Sequence, residues 1–193
     1  MKKISTLFAK DPNNLARVVN KINAENAWVI NGEAIATRKF DGTSSAIING
    51  ELYKRFDAKK GRTIPANAIP CQEADLITGH HPHWLKCDRS KSENKHFFEA
   101  FDRLEDKTDG TYELCGPKVQ GNPENFEKHT LVKHGSEIID LENVAFEDLK
   151  VFLMNDETDM EGIVFHHKSD GRMCKLRKSD FGVKRLEVVL NEY

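Results

Sequence analysis

Arg38-Lys39-Phe40-Asp41-Gly42-Thr43 lies between two runs with strand character, Ala34 to Lys39 and Thr43 to Ile48. A lysine at a strand end, followed by an Asp-Gly turn, holds one primary amine at a sheet edge. That placement suits a nucleophile that must meet a phosphorus atom in line. Asp-Gly is equally a common hairpin turn, so the motif gains meaning only through partners elsewhere in the chain. Asn49-Gly50 is a second hairpin signal, with Glu51 to Phe56 as the returning strand. The three runs predict an antiparallel meander with Lys39 on its first strand and Lys54 and Arg55 on its third.

Upstream, Asp11-Pro12 has the form of a helix start, and Leu15, Val18, Val19 and Ile22 follow at helical spacing. Trp28 to Gly32 predicts a strand and turn. Residues 57–88 are irregular, with a basic turn at Lys59-Lys60-Gly61-Arg62 and a compact aromatic loop from Thr78 to Trp84. Ser92 to Glu105 predicts a helix whose Phe97, Phe98, Phe101 and Leu104 form a core stripe. Thr111 to Cys115 and Thr130 to Val132 predict short strands, and Phe146, Leu149, Phe152 and Leu153 a second helix. A last hairpin runs Gly162 to His167, turns at Asp170-Gly171 and returns through Met173 to Arg177. Residues 184–193 fit helix or strand. Hairpins interrupted by a few helices indicate an α+β fold, antiparallel sheets with flanking helices, and no repeat or linker divides residues 1–193.

Composition narrows the function classes. The chain has 193 residues, 38% hydrophobic and 31% charged, which suits a globular domain with a wet surface. A formal net charge of −2 argues against bulk electrostatic wrapping of nucleic acid and leaves room for a local basic groove. Cys71, Cys87, Cys115 and Cys174 are irregularly spaced without a CxxC pair, which disfavours a zinc ribbon and fits reduced thiols in a cytoplasmic protein. No signal peptide or membrane span is visible, and a monomer is expected. His80, His81 and His83 surround a proline without a cysteine or acid at ligand spacing, so they read as a polar loop.

Four clusters can complete a site around Lys39: Lys54-Arg55, Tyr112-Glu113-Leu114, Glu161-Gly162-Ile163-Val164-Phe165, and Lys175-Leu176-Arg177-Lys178. A lysine attacking a phosphate must be neutral, and neighbouring cations disfavour its ammonium form. Lys175 and Arg177 alternate along a strand and so share a face, where they can neutralise charge on an α-phosphate and a leaving pyrophosphate. Carboxylates such as Glu113 and Glu161 can bind ribose hydroxyls or Mg²⁺.

In this order the clusters resemble the covalent nucleotidyltransferase superfamily of ATP-dependent ligases and RNA-capping enzymes. Lys39-Phe40-Asp41-Gly42 looks like motif I, Tyr112-Glu113-Leu114 like motif III, Glu161 to Phe165 like motif IV, and Cys174-Lys175-Leu176-Arg177 like motif V. Segments Arg55 to Arg62, Ile77 to His80, Leu114 to Pro123 and Leu131 to Gly135 are similar to small 5′-to-3′ RNA ligases of phages and animals. The resemblance implies a single nucleotidyltransferase (ligase adenylation) domain over residues 1–193, without a separate C-terminal OB domain. It implies ATP and Mg²⁺ (or Mn²⁺), and an RNA partner with 5′-phosphate and 3′-hydroxyl ends. Lys39 would carry AMP, with Asp41 and Gly42 beside the nucleotide. Arg55 would contact ribose or the RNA 5′-phosphate, Glu113 the ribose or a metal, and Glu161 the metal. Lys175 and Arg177 would hold the α-phosphate, with Lys178 adjacent. Arg177 stands where motif V usually has a second lysine, which leaves the split of roles with Lys178 open. Lys59, Lys60, Arg62, Lys118 and His80 are expected to meet RNA, and Phe126 and Phe165 are candidates for stacking on adenine. DNA nick sealing, guanylyl transfer for capping, and an inactive nucleotide- or RNA-binding module are the alternatives.

Overall fold

The computed structural model describes residues 4–58, 62–75, 79–155, 157–183 and 185. In chain order, β1 (Ser5–Thr6), β2 (Phe8–Asp11) and β3 (Asn14–Ile22) precede β4 (Ala34–Lys39). Then come β5 (Thr43–Ile48), β6 (Glu51–Ala58), β7 (Ile69–Pro70), β8 (His81–Lys86) and helix α1 (Lys95–Arg103). Strands β9 (Gly110–Cys115) and β10 (Thr130–Lys133), helix α2 (Phe146–Met154), β11 (Gly162–His167) and β12 (Met173–Arg177) follow. The architecture is mixed α+β with mostly antiparallel pairing. The chain forms two compact units, one of Asp41–His134 and one of Ile4–Phe40 with the chain from Gly135 onward.

The first unit is a six-stranded sheet in the order β10-β9-β5-β6-β8-β7. Ile47, Leu52, Tyr112, Leu114 and Leu131 pack on Phe97 and Ala100 of α1. The turn at Asn49-Gly50 closes β5 on β6, and the Asp109 carboxylate accepts both of its N–H groups at 2.8 and 3.1 Å. The loop expected from Thr78 to Trp84 instead contains β8, with Arg55 opposite Trp84 and Phe56 opposite His83. Neighbouring strands on both sides satisfy its backbone, which outweighs the Gly- and Pro-rich composition.

The second unit holds a four-stranded sheet, β1-β12-β11-β4, and the β2-β3 ribbon. Ile163, Phe165, Cys174 and Leu176 face a core shared with Leu149 and Leu153 of α2, Leu7, Phe8, Trp28 and Val29. The helix expected after Asp11-Pro12 is this ribbon instead. The Asp11 carboxylate accepts the Asn13 N–H at 2.8 Å, closing a tight turn where a helix cap was expected. Shifts in register set Lys10 against Val18 and Phe8 against Ile22, so irregular pairing produced the four-residue apolar spacing that mimics a helix. Trp28 to Gly32 is likewise a series of turns after a 3₁₀ turn at Ala24–Asn26, with Glu33 N–H bonded to the Trp28 carbonyl at 3.1 Å.

The expected meander is corrected at the motif itself. Strand β4 pairs with β11, whereas β5 pairs with β6 and β9, so Asp41-Gly42 is a passage between two sheets and not a hairpin turn. Gly42 approaches β9 so closely that a Cβ there would lie 2.2 Å from the Leu114 carbonyl oxygen. Glycine is needed for that approach, which hairpin statistics cannot reveal.

Candidate functional site

Lys39 ends β4 directly opposite Gly162 of β11, and Gly162 is opposite Arg177 of β12. Residues in such a row share a face of the sheet. Gly162 carries no side chain between the two cations, and a Cβ there would lie 2.2 Å from the Leu176 carbonyl oxygen. In the next row, Val164 separates Thr37 from Lys175. The alternation expected for β12 holds: Cys174 and Leu176 are buried in the core, while Lys175 and Arg177 lie on the other face. Lys39 Nζ donates to the Glu161 carboxylate, and both side chains are about four-fifths buried (23% and 22% exposed).

Two residues not singled out from the sequence organise this face. Asp180, fully buried, accepts Arg177 Nη2 at 2.9 Å and Lys10 Nζ at 2.7 Å, and its Oδ2 accepts the Arg177 backbone N–H at 2.9 Å. Burial pushes the Asp180 carboxyl up, but the Arg177 and Lys10 hydrogen bonds outweigh it and hold the group below the usual carboxylate range. The Asp180 hydrogen bond raises Arg177 further above its ordinary value. Among the described residues, Lys175 has no ion-pair partner of its own. Burial first, then the charges of Arg177 and Lys39, bring it down to about 8. Lys178 is buried, and its backbone N–H bonds the Glu161 carbonyl at 3.0 Å, which closes the end of the β11-β12 pair.

A second constellation occupies the first unit. Glu113 and its cross-strand neighbour Ser44 lie on the sheet face opposite Tyr112 and Leu114, which pack toward α1. Glu113 is 9% exposed and its Oε2 lies 2.8 Å from His134 Nε2, while Nδ1 of that ring lies 2.9 Å from Thr111 Oγ1. The Ser44 hydroxyl is buried with no partner among the described residues, leaving hydrogen-bonding capacity beside Glu113. On β6, Arg55 donates to Asp57 at 2.9 Å and stands over the Trp84 ring, 5.7 Å from its centroid. His80 Nε2 lies 3.3 Å from the same Asp57 oxygen, so Asp57 joins Arg55 and His80, which stand 25 residues apart in the chain. Burial raises the Asp57 carboxyl, but Arg55 and His80 hold it low overall.

The Asp41 N–H donates to Glu124 Oε1 at 2.8 Å. Arg62 lies over the Phe56 ring, 4.5 Å from its centroid, and Lys118 stands exposed. Lys59, Lys60 and the stretch 186–193 lie outside the described residues. Phe165 is 1% exposed within the core of the second unit, which removes it as an adenine platform; Phe126 is half-buried. Lys39, Glu161, Lys175 and Arg177 thus gather on one sheet, and Glu113, Arg55 and His80 belong to the other unit. His134 and Asp57 were present in sequence segments that suggested a family but carried no assigned role. Asp180 and Lys10 carried no sequence signal.

Among the described residues, no helix is long and apolar enough to cross a membrane. No curated protein matches the chain. The family model described as RNA ligase 1 matches residues 87–191, a stretch that includes Glu113, Glu161, Lys175 and Arg177 and begins after Lys39. With more than half of its 193 residues matched, the chain belongs to the RNA ligase 1 family.

Proposed function

We propose that the protein is an ATP-dependent RNA ligase with a nucleotidyltransferase-type fold, working through a lysyl-AMP on Lys39. The observation that carries this reading is the single sheet face on which Lys39, Glu161, Lys175 and Arg177 meet. The Lys39 amine attacks the α-phosphorus of ATP; a nitrogen–phosphorus bond forms, the bond to the bridging oxygen breaks, and pyrophosphate leaves. An RNA 5′-phosphate oxygen then displaces the lysine, transferring AMP to the RNA end. Finally a 3′-hydroxyl attacks that RNA phosphorus, forming the phosphodiester and releasing AMP.

The charges on this face serve the first step directly. Lys39 rests as the donor in an ion pair with Glu161, which must loosen before the amine can react. Lys175 and Arg177 then neutralise charge on the α-phosphate. The largely buried Glu161 carboxylate would hold Mg²⁺ (or Mn²⁺), supplying a hard oxygen ligand to the ion. Such an ion would supply charge neutralisation at the phosphates. Glu113 is already joined to His134, and with the unpaired Ser44 hydroxyl it suits a ribose better than a metal.

Incubation with labelled ATP and Mg²⁺ tests the reading. A denaturation-resistant, acid-labile adenylate is expected, and Lys39→Ala should reduce it to background. Labelling from GTP alone would favour capping, and labelling retained in Lys39→Ala would refute the nucleophile. Faster closure of 5′-phosphorylated DNA than of RNA would overturn the substrate assignment.

A further inference from the structure

Outside both constellations, a third group of ligating side chains gathers in the six-stranded unit. His96 lies in the first turn of α1 and Glu99 follows three residues later, so both project from one side of the helix. His129, just before β10, is 8% exposed. Its ring stacks on His96 with centroids 4.2 Å apart and planes inclined by 23°. Both rings bring Nδ1 close to one atom: Glu99 Oε2 lies 3.3 Å from His96 Nδ1 and 2.7 Å from His129 Nδ1. One ligand atom from each of the three residues lies within 4.8 Å of the others. Lys95 Nζ approaches the other oxygen, Oε1, at 3.7 Å, which leaves Oε2 to the two histidines.

We propose that His96, Glu99 and His129 form a site for a divalent transition ion, with zinc as the best fit. Two imidazole nitrogens and one carboxylate oxygen match that ion's preferences, whereas the all-oxygen sets of Mg²⁺ and Ca²⁺ do not. Around a tetrahedral zinc with bonds of about 2.0–2.1 Å, adjacent ligand atoms stand roughly 3.3–3.4 Å apart. The His96–Glu99 distance already fits, and His129 needs to withdraw by about 0.6–0.7 Å from Glu99 to meet the same spacing. Hydrogen bonding alone explains the group less well. Two stacked rings then crowd on one carboxylate oxygen. One ion replaces both contacts, leaves a fourth position for water, and ties α1 to the entry of β10. The site is separate from the Mg²⁺ position suggested for Glu161, and it does not depend on the proposed ligase chemistry.

The test uses the full chain, stripped with chelator and dialysed. Zinc added in competition with a chromophoric chelator should bind with one ion per chain and raise Tm. His96→Ala, at a half-buried position that tolerates truncation, should weaken binding by tenfold or more, as should Glu99→Gln. His129→Gln tests the buried ligand where it folds; His96→Ala and Glu99→Gln decide the matter if it does not. Cobalt in place of zinc should give a tetrahedral nitrogen/oxygen spectrum without a thiolate charge-transfer band. Failure of the wild-type chain to retain zinc, unchanged affinity in His96→Ala, or a thiolate band from cysteine ligation would each overturn the proposal.

Discussion

On the six-stranded sheet, the charged side chains of the candidate site meet partners within their own unit: Glu113 has His134, and Arg55 has Asp57, which His80 also approaches. On the four-stranded sheet the balance is uneven. Lys10, Lys39, Lys175 and Arg177 gather around Glu161 and Asp180, and Lys175 has a pKa lowered by burial first and then by the Arg177 and Lys39 charges. A paired array presents fixed hydrogen-bonding geometry to a neutral group such as a sugar. An array with surplus positive charge is completed by an anion, and triphosphate is an anion of suitable density. Under the proposed function, the uneven array suits phosphorus chemistry and the paired array suits a neutral polar group.

Asp180 offers the hardest blow to that contrast. Asp180→Asn leaves Arg177 and Lys10 without their buried carboxylate, and should slow adenylate formation on the order of 10²-fold, the scale of a lost oxyanion donor. It should also lower stability by about 2–4 kcal/mol. Because the folded carboxyl is held low, its contribution is present above the unfolded value of 3.8 and disappears as pH falls through the folded value. The variant should lack that acid-side loss. Asp57→Asn makes the same change on the other sheet and should slow adenylation by no more than about threefold, since the Asp57 pairs are partly exposed. Single-turnover labelling well below Tm compares the two. Equal losses would erase the division of labour.

Much of this arrangement was legible in the sequence. Strands β4, β5, β11 and β12 follow from short strand-like runs bounded by turn residues, and the shared face of Lys175 and Arg177 follows from alternation alone. Asn49-Gly50 and Asp41-Gly42 carry the same turn signal, yet one closes a hairpin and the other leaves one sheet for another. The second outcome depends on the approach of Gly42 to the Leu114 carbonyl, a contact between residues far apart in the chain. The same limit hid Asp180, whose partner Lys10 is 170 residues away, and the bulged ribbon whose register counterfeited a helix. Local pattern revealed faces and turns, whereas pairings over long separations had to be seen.

Lys175 allows a finer test, because its charge changes in an accessible pH range. It is charged below about 8 and loses its proton as pH rises through that value. Capture of ATP by the free enzyme should therefore weaken on the alkaline side, by about tenfold one unit above the midpoint. Lys175→Arg retains its charge and should remove that limb. Stability runs the other way: between about 8 and 10.5 the unfolded chain holds a proton that the folded chain has released, so wild-type stability gains with pH. The arginine variant should lack that gain. An unchanged alkaline limb in Lys175→Arg would move the titration to another group and weaken the claim that surplus charge on this sheet is what binds phosphate.

The smallest effect belongs to Lys118, exposed in the loop after β9 and expected to meet the RNA backbone. One lysine–phosphate contact changes little in any chemical step, so Lys118→Ala should leave adenylate formation at the wild-type rate. It should weaken RNA binding about two- to threefold at moderate salt. It should also reduce the slope of log affinity against log salt by about 0.7 for a single strand or 0.9 for a duplex. Fluorescence anisotropy over a salt series measures both quantities. A loss of adenylation in this variant would place Lys118 with the nucleotide-handling residues. An unchanged salt slope would remove it from the RNA path and restrict backbone contact to other cations, leaving the four-stranded sheet to account for more of the anion binding.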